Sequence, residues 1–87
     1  MRYTIPDGVL YRELPGEAVV LNLATAEYFQ LNNLGRVAWE LLRAGADRDS
    51  IETTLVREYE APAEQISSDL NRFLGRIVEL KLVTILE

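Results

Sequence analysis

The sequence contains no cysteine and no histidine. Without cysteine it can form no disulfide and offers no thiolate to a metal. Without histidine it lacks the commonest general base and the commonest metal ligand. Triads of the Ser-His-Asp or Cys-His kind are thereby excluded within this chain. Positive charge is also scarce: 9 Lys and Arg stand against 14 Asp and Glu, a formal net charge of −5. That balance argues against non-specific nucleic-acid binding, which rests on excess Lys and Arg. It is compatible with a basic partner without requiring one. No stretch approaches the ~20 apolar residues of a membrane span. Met1 to Gly8 carries no apolar run behind a basic region, so a signal peptide is not expected and the default compartment is cytoplasmic. Low-complexity tracts, internal repeats and Ser/Gly-rich linkers are absent as well.

What is present is a chain of 87 residues, 48% hydrophobic and 26% charged. That is the composition of an ordinary globular domain, and residues 1–87 are expected to form a single one. A chain this short buries only ~60% of its unfolded surface, so modest stability is expected.

Strand formers cluster at residues 9–13, followed by Leu14-Pro15-Gly16-Glu17. Pro at the second and Gly at the third position fit a type II turn, because Gly tolerates the positive φ needed there. Residues 18–23 read as a second, more buried strand, and Tyr28 to Leu31 as a third short one. Leu23 to Glu27 connects them without a strong turn signature. The pattern predicts a three-stranded antiparallel meander.

Asn32 and Asn33 then offer a helix N-cap. Leu34, Val37, Ala38, Leu41 and Leu42 follow at helical spacing, with Trp39 off the centre of that stripe and expected at a rim or part-exposed. Gly45 is a natural left-handed stop. Asp47 can cap a second helix, whose stripe is Ile51, Leu55 and Tyr59. Pro62 suits the first position of a third helix, the most periodic segment, carrying Ile66, Leu70, Phe73, Leu74, Ile77 and Leu80. Val83 to Leu86 form a short apolar tail that could pack back as an extended segment. Strands first and helices after predict an α+β fold, compatible with a winged helix-turn-helix-like arrangement.

The residues offer little to an enzyme. Glu13, Glu17 and Glu27 flank the hairpins, where solvated turns are the ordinary reading, and nothing places two of them in one cleft. Ser67-Ser68 has no base partner. Asp47, Asp49 and Glu52 are wrongly spaced for a calcium loop and suit a helix N-terminus instead. No Gly-rich phosphate loop occurs, and no metal or cofactor is expected. A winged-helix DNA reading would place Arg72 and Arg76 on a recognition helix, but Glu64, Asp69 and Glu79 share that helix and spoil its potential.

The third strand carries more. In a sequential meander it is an edge, presenting unpaired backbone groups. It holds no Pro, no Gly and no charge beyond Glu27 at its start. It could accept an extended peptide as an added strand. Equally, a helix could cover it, with Tyr28 and Phe29 as core. Tyr28 and Gln30 share one sheet face, Phe29 and Leu31 the other, and the pattern leaves open which is inward. On the third helix, Asp69, Phe73, Arg76 and Leu80 lie along one flank. That flank is either the wall of a groove or two core apolar residues beside two solvated charges.

From Leu21 to Leu42 the chain resembles the PqqD-like family. The resemblance rests on Glu27-Tyr28-Phe29-Gln30-Leu31-Asn32-Asn33-Leu34-Gly35 running into Val37-Ala38-Trp39-Glu40-Leu41-Leu42. Gly45, Ile51, Leu55, Tyr59, Asp69-Leu70, Phe73-Leu74 and Leu80 extend it over roughly residues 9–83. The resemblance implies a recognition element for the leader of a ribosomally made, later modified peptide. It implies three strands and three helices in a winged-helix-like module, with the leader added as a strand in the groove between the third strand and third helix. The peptide-binding residues would be Glu27, Tyr28, Phe29, Gln30, Leu31, Asp69, Phe73, Arg76 and Leu80. Within the family the chain looks most like the separate leader binders of lasso-peptide pathways, whose partners are the precursor leader and a cysteine protease on another chain. The alternative is a peptide chaperone for a radical enzyme in pyrroloquinoline quinone synthesis. Two places depart from the family pattern: Leu23 to Glu27 lacks its common Asp/Gly turn, and Lys81 stands where Gly is frequent.

Overall fold

The computed structural model of the chain describes residues 2–86. Its elements run β1 (Arg2–Thr4), β2 (Val9–Leu14), β3 (Glu17–Asn22), β4 (Tyr28–Leu31), α1 (Asn33–Arg43), α2 (Arg48–Glu58), α3 (Ala63–Glu79) and β5 (Thr84–Leu86). The expected meander is present as an antiparallel sheet of order β2-β3-β4. Pro15-Gly16 closes its first hairpin across Leu14↔Glu17, with Gly16 at φ 81°. A second, two-stranded sheet was not foreseen: β1 pairs antiparallel with β5, Tyr3 opposite Ile85. The apolar tail does pack back, and its partner is the chain's first described segment.

Alternation along the strands decides the layers. Ala18, Val20 and Asn22 of β3 are buried, and with Leu31 of β4 they face the helices. Among the described residues, no helix lies over the opposite face of the sheet. The core joins Ala18, Val20 and Leu31 to Ala38, Trp39 and Leu42 of α1, Ile51 and Leu55 of α2, and Ile66, Leu70, Phe73, Leu74 and Ile77 of α3. Leu82 and Val83 close it from below.

The caps follow the sequence closely. Asn32 accepts from Gly35 N (2.8 Å) and Asp47 from Ser50 N (2.9 Å), satisfying orphan donors at the starts of α1 and α2. Pro62 sits one position earlier than expected, at the N-cap itself, and α3 begins at Ala63.

Trp39 corrects an expectation. It is 1% exposed, among the largest fully buried side chains. The buried face of α1 is Gly35, Ala38, Trp39 and Leu42. A Cβ on Gly35 would stand 3.3 Å from the Phe73 ring and 3.4 Å from Leu31. The bare backbone there lets α1 approach α3 and β4, which turns the helix toward its small residues and carries Trp39 inward. Val37 and Leu41 are left half-buried.

Candidate functional site

The hydrogen-bond register shows which backbone groups the sheet leaves free. Asn22 N–H donates to Glu27 O (2.8 Å), and Leu23 N–H to Gly8 O (2.9 Å). Antiparallel ladders alternate bonded and non-bonded pairs. The bonded pairs of the β3–β4 register are therefore Val20↔Phe29 and Ala18↔Leu31. The N–H and C=O of Tyr28 and Gln30 consequently point to the open edge of β4. On the other side of the sheet, Val9, Tyr11 and Glu13 are the outward residues of β2.

The two edges differ in their protection. On β2, Val9 N–H is taken by Pro6 O (3.2 Å), and Arg12 lies over Tyr11 O (3.4 Å). Beside this edge the Glu13 carboxylate accepts from Tyr11 Oη (2.8 Å) and Arg36 (3.1 Å), which sets a cluster of charge there. Those bonds, Tyr11 first, hold the Glu13 carboxyl below the usual carboxylate range. Charges and an intruding turn are how proteins blunt an edge. On β4, Gln30 Nε2 donates to the Glu17 carboxylate (3.3 Å) on the helix-free face, which leaves the strand's outward backbone groups open.

Beside β4 runs a groove of about 500 Å³, walled by α3 and lined by Phe29, Gln30, Asn32, Leu34, Asp69, Arg72, Phe73 and Arg76. The Phe29 and Phe73 rings form its apolar floor, 6.0 Å apart between centroids and inclined by 47°. Phe29 and Leu31 are thus the inward face of β4, and Tyr28 and Gln30 the outward one. The structure brings together Phe29, Gln30, Asp69, Phe73 and Arg76. Leu31 lies behind the floor, in the core at 5% exposed. Tyr28 stands on the open face at 67% exposed. Glu27 ends the preceding turn, its N–H donating to Thr25 Oγ1 (3.2 Å). Leu80, one turn beyond Arg76, packs half-buried against the core instead of lining the groove. Asn32, Leu34 and Arg72 were not anticipated in the lining; Asn32 and Leu34 follow directly from the β4–α1 junction, and Arg72 is one residue before Phe73. Asp69 lies 3.6 Å from Arg72, and Arg76 bonds Glu79, so the wall presents paired charge of both signs. A duplex surface would want unpaired cations there.

Among the described residues no helix is long and apolar enough to cross a membrane, and no cluster of three or more His, Cys, Asp or Glu could hold a metal.

A sheet with one guarded edge and one receptive edge, the latter beside an aromatic-floored groove, can take up an extended chain as a fourth strand. The chain belongs to the PqqD family: the family described as coenzyme PQQ synthesis protein D matches residues 17–83. Two solved structures are similar over nearly their whole length. One is TbiB1 in complex with the TbiA(beta) leader peptide, 29% identical, covering 100% of this chain and 99% of that one, with a TM-score of 0.84. The other is lasso peptide synthetase B1 complexed with the leader peptide, 18% identical, covering 98% and 100%, with a TM-score of 0.85. No curated protein matches the sequence.

Proposed function

We propose that this chain binds the leader region of a ribosomally made precursor, most simply a lasso-peptide precursor, as an added strand on β4. The observation that carries this reading is the contrast between the edges: β2 is guarded by Pro6 at Val9, by Arg12 at Tyr11 and by the Glu13–Arg36 pair, while Tyr28 and Gln30 leave their backbone groups unused. The TbiB1 structure, similar to this chain over its full length, is a leader-peptide complex, which supports the reading. The leader's main chain would bond Tyr28 and Gln30, and its alternate side chains would enter the groove over Phe29 and Phe73. Asp69, Arg72 and Arg76 would set the charge tolerated along the wall.

The chain would act without catalysing, holding the leader in the cytoplasm for a cysteine protease and further enzymes on other chains. The family's description, coenzyme PQQ synthesis, favours a second reading in which the peptide is passed to a radical enzyme instead.

The register supplies the test. Gln30→Pro removes an edge-facing N–H and the exposed side-chain bond to Glu17, and leaves every β3–β4 backbone bond intact. Phe29→Pro removes a bond to β3. We expect Gln30→Pro to keep the wild-type melting midpoint within a few degrees while leader affinity, by calorimetry, drops at least tenfold. Phe29→Pro should lower both. A Gln30→Pro protein that binds leader as tightly as wild type would rule out strand addition at β4.

A further inference from the structure

Strands β1 and β2 follow one another in the chain yet do not pair: among the described residues β1 bonds β5, and β2 bonds β3. Between them, over the C-terminal half of α1, lies a slot of about 610 Å³. Its walls include Tyr3, Ile5, Val9 and Leu42, and the buried Trp39 is its floor. That volume and that lining suit a small molecule. Two further observations give the slot a chemical character. The Trp39 indole N–H is buried and has no hydrogen-bond partner. Buried donors are nearly always satisfied, so one left over in the floor of a cavity points to an acceptor from outside the chain. The second observation is charge. The charged residues lining the slot are Arg12 and Arg43, both exposed at its rim, in a protein of net charge −5. Arg43 is paired with Glu40 (2.6 Å), whereas Arg12 forms no ion pair among the described residues. Glu13, which accepts from the Tyr11 hydroxyl beside the slot, is itself paired with Arg36.

We propose that this slot binds a small apolar oxo acid, with a carbonyl at one end of its body and a carboxylate at the other. Each part answers one observation. Indole is a donor only, so its partner must be an acceptor; a carbonyl supplies one and brings no donor of its own to bury. The apolar body covers Ile5, Val9 and Leu42 between the strands. The carboxylate stays at the rim, where it keeps its contact with water. There it meets Arg12, which has donors to spare beyond its bond to Tyr11 O (3.4 Å). An amine of the same shape would face two guanidinium groups and be repelled. Strand β2 is the sheet edge opposite β4, so the slot is separate from the groove beside β4 and does not depend on the leader-binding reading. A ligand held between β1 and β2 binds only the folded chain and so stabilises it.

The test follows the chain's single tryptophan, whose indole N–H gives one resonance in a proton–nitrogen correlation spectrum of the full-length protein. Three probes separate the parts. The first, para-acetylphenylacetate, has the carbonyl, the ring and the carboxylate. The second, para-isopropylphenylacetate, keeps shape and charge without the acceptor. The third, para-acetylphenethylamine, reverses the charge. We expect the first to move the indole resonance saturably and to raise the melting midpoint by several degrees. The other two should bind at least tenfold more weakly. Arg12→Gln should weaken binding of the acetyl acid about tenfold, and Arg57→Gln, on α2, should leave it at the wild-type value. Melting midpoints report that each variant is folded. The proposal is overturned if the acetyl acid gives no saturable shift, an outcome that rapid exchange of the indole proton with solvent would trace to a bound water. Equal affinity for acid and amine, equal affinity for the acetyl and isopropyl acids, or an equal loss in the two arginine variants would overturn it as well.

Discussion

Lys81 and Ala26 are the two non-glycine residues with positive φ among the described residues, at 60° and 63°. They fall where the chain departs from its family's glycine-bearing pattern, so the sequence marks both places without showing what the backbone does there. Lys81 ends α3 in a Schellman motif: its N–H donates to Val78 O (3.0 Å) and that of Leu82 to Ile77 O (2.8 Å). Gly45 ends α1 with the same two bonds, to Leu42 (3.0 Å), and from Ala46 to Leu41 (3.0 Å). One motif thus occurs twice, once with its preferred residue. A side chain in the left-handed region costs about 1–2 kcal/mol, and glycine returns part of that as unfolded-state entropy. Lys81→Gly should therefore stabilise the protein by about 0.5–1 kcal/mol, and Gly45→Ala should destabilise it by a similar amount. Chemical denaturation reads both, and a Lys81→Gly protein less stable than wild type would contradict the strain at this position. Trp39 was misread for a reason at the same scale. Aliphatic spacing centred the stripe of α1 on Val37 and Leu41, but the bare Gly35 backbone against Phe73 decides which side of the helix goes inward.

Strands β2, β3 and β4 were legible within about a residue, because half-buried strands alternate and Pro15-Gly16 fixes one turn. So were the α1 and α2 caps. The extended tail at β5 was legible, but β1 and its pairing with β5 were not, since a three-residue segment shows no period and the pairing spans the chain. The edge position of β4 was legible; which face was inward depended on where the helices lay. The least visible element was the β3–β4 turn. Asn22 builds it: Oδ1 accepts from Ala24 N (2.9 Å) and Thr25 N (3.3 Å), its own C=O from Ala26 N (2.8 Å). Its Nδ2 reaches across to Lys81 O (2.8 Å), tying the hairpin to the end of α3. An asparagine at a strand end is a known turn-former, and here it is a buried polar node at 7% exposed. Asn22→Ala would strand three backbone groups, a loss of about 1–3 kcal/mol. Because the turn positions β4, leader affinity should fall with stability. Calorimetry that found affinity unchanged in a destabilised Asn22→Ala protein would show that the edge is held by the groove alone.

Over the whole molecule, acids tied into the fold bound its pH range. Glu13 is held low chiefly by Tyr11, Glu52 by Arg48 (2.6 Å), and Asp47 by the Ser50 backbone. Each carboxyl has a lower pKa folded than unfolded, so its contribution is present above the unfolded value and is lost as pH falls through the folded one. Tyr11, raised first by its bond to Glu13, and Tyr3, raised by burial, behave oppositely: their contribution is present below the usual tyrosine value and is lost as pH rises through the folded one. The melting midpoint should be flattest between about pH 5 and pH 9. Glu13→Gln and Glu52→Gln together should flatten the acid limb, and an unaltered limb would place its cause elsewhere. Arg48 also joins the helices, donating to Asn71 (2.6 Å) and Ser67 (3.1 Å) from α2 to α3. The pairing of β1 with β5 sets Arg2 directly across from Leu86. A longer polypeptide running into β1 would therefore emerge from β5 a few ångströms from where it entered. The fold has the geometry of a cassette: it can be spliced into a loop of a host enzyme, or be permuted by joining these two strands, with the receptive edge still on the outside.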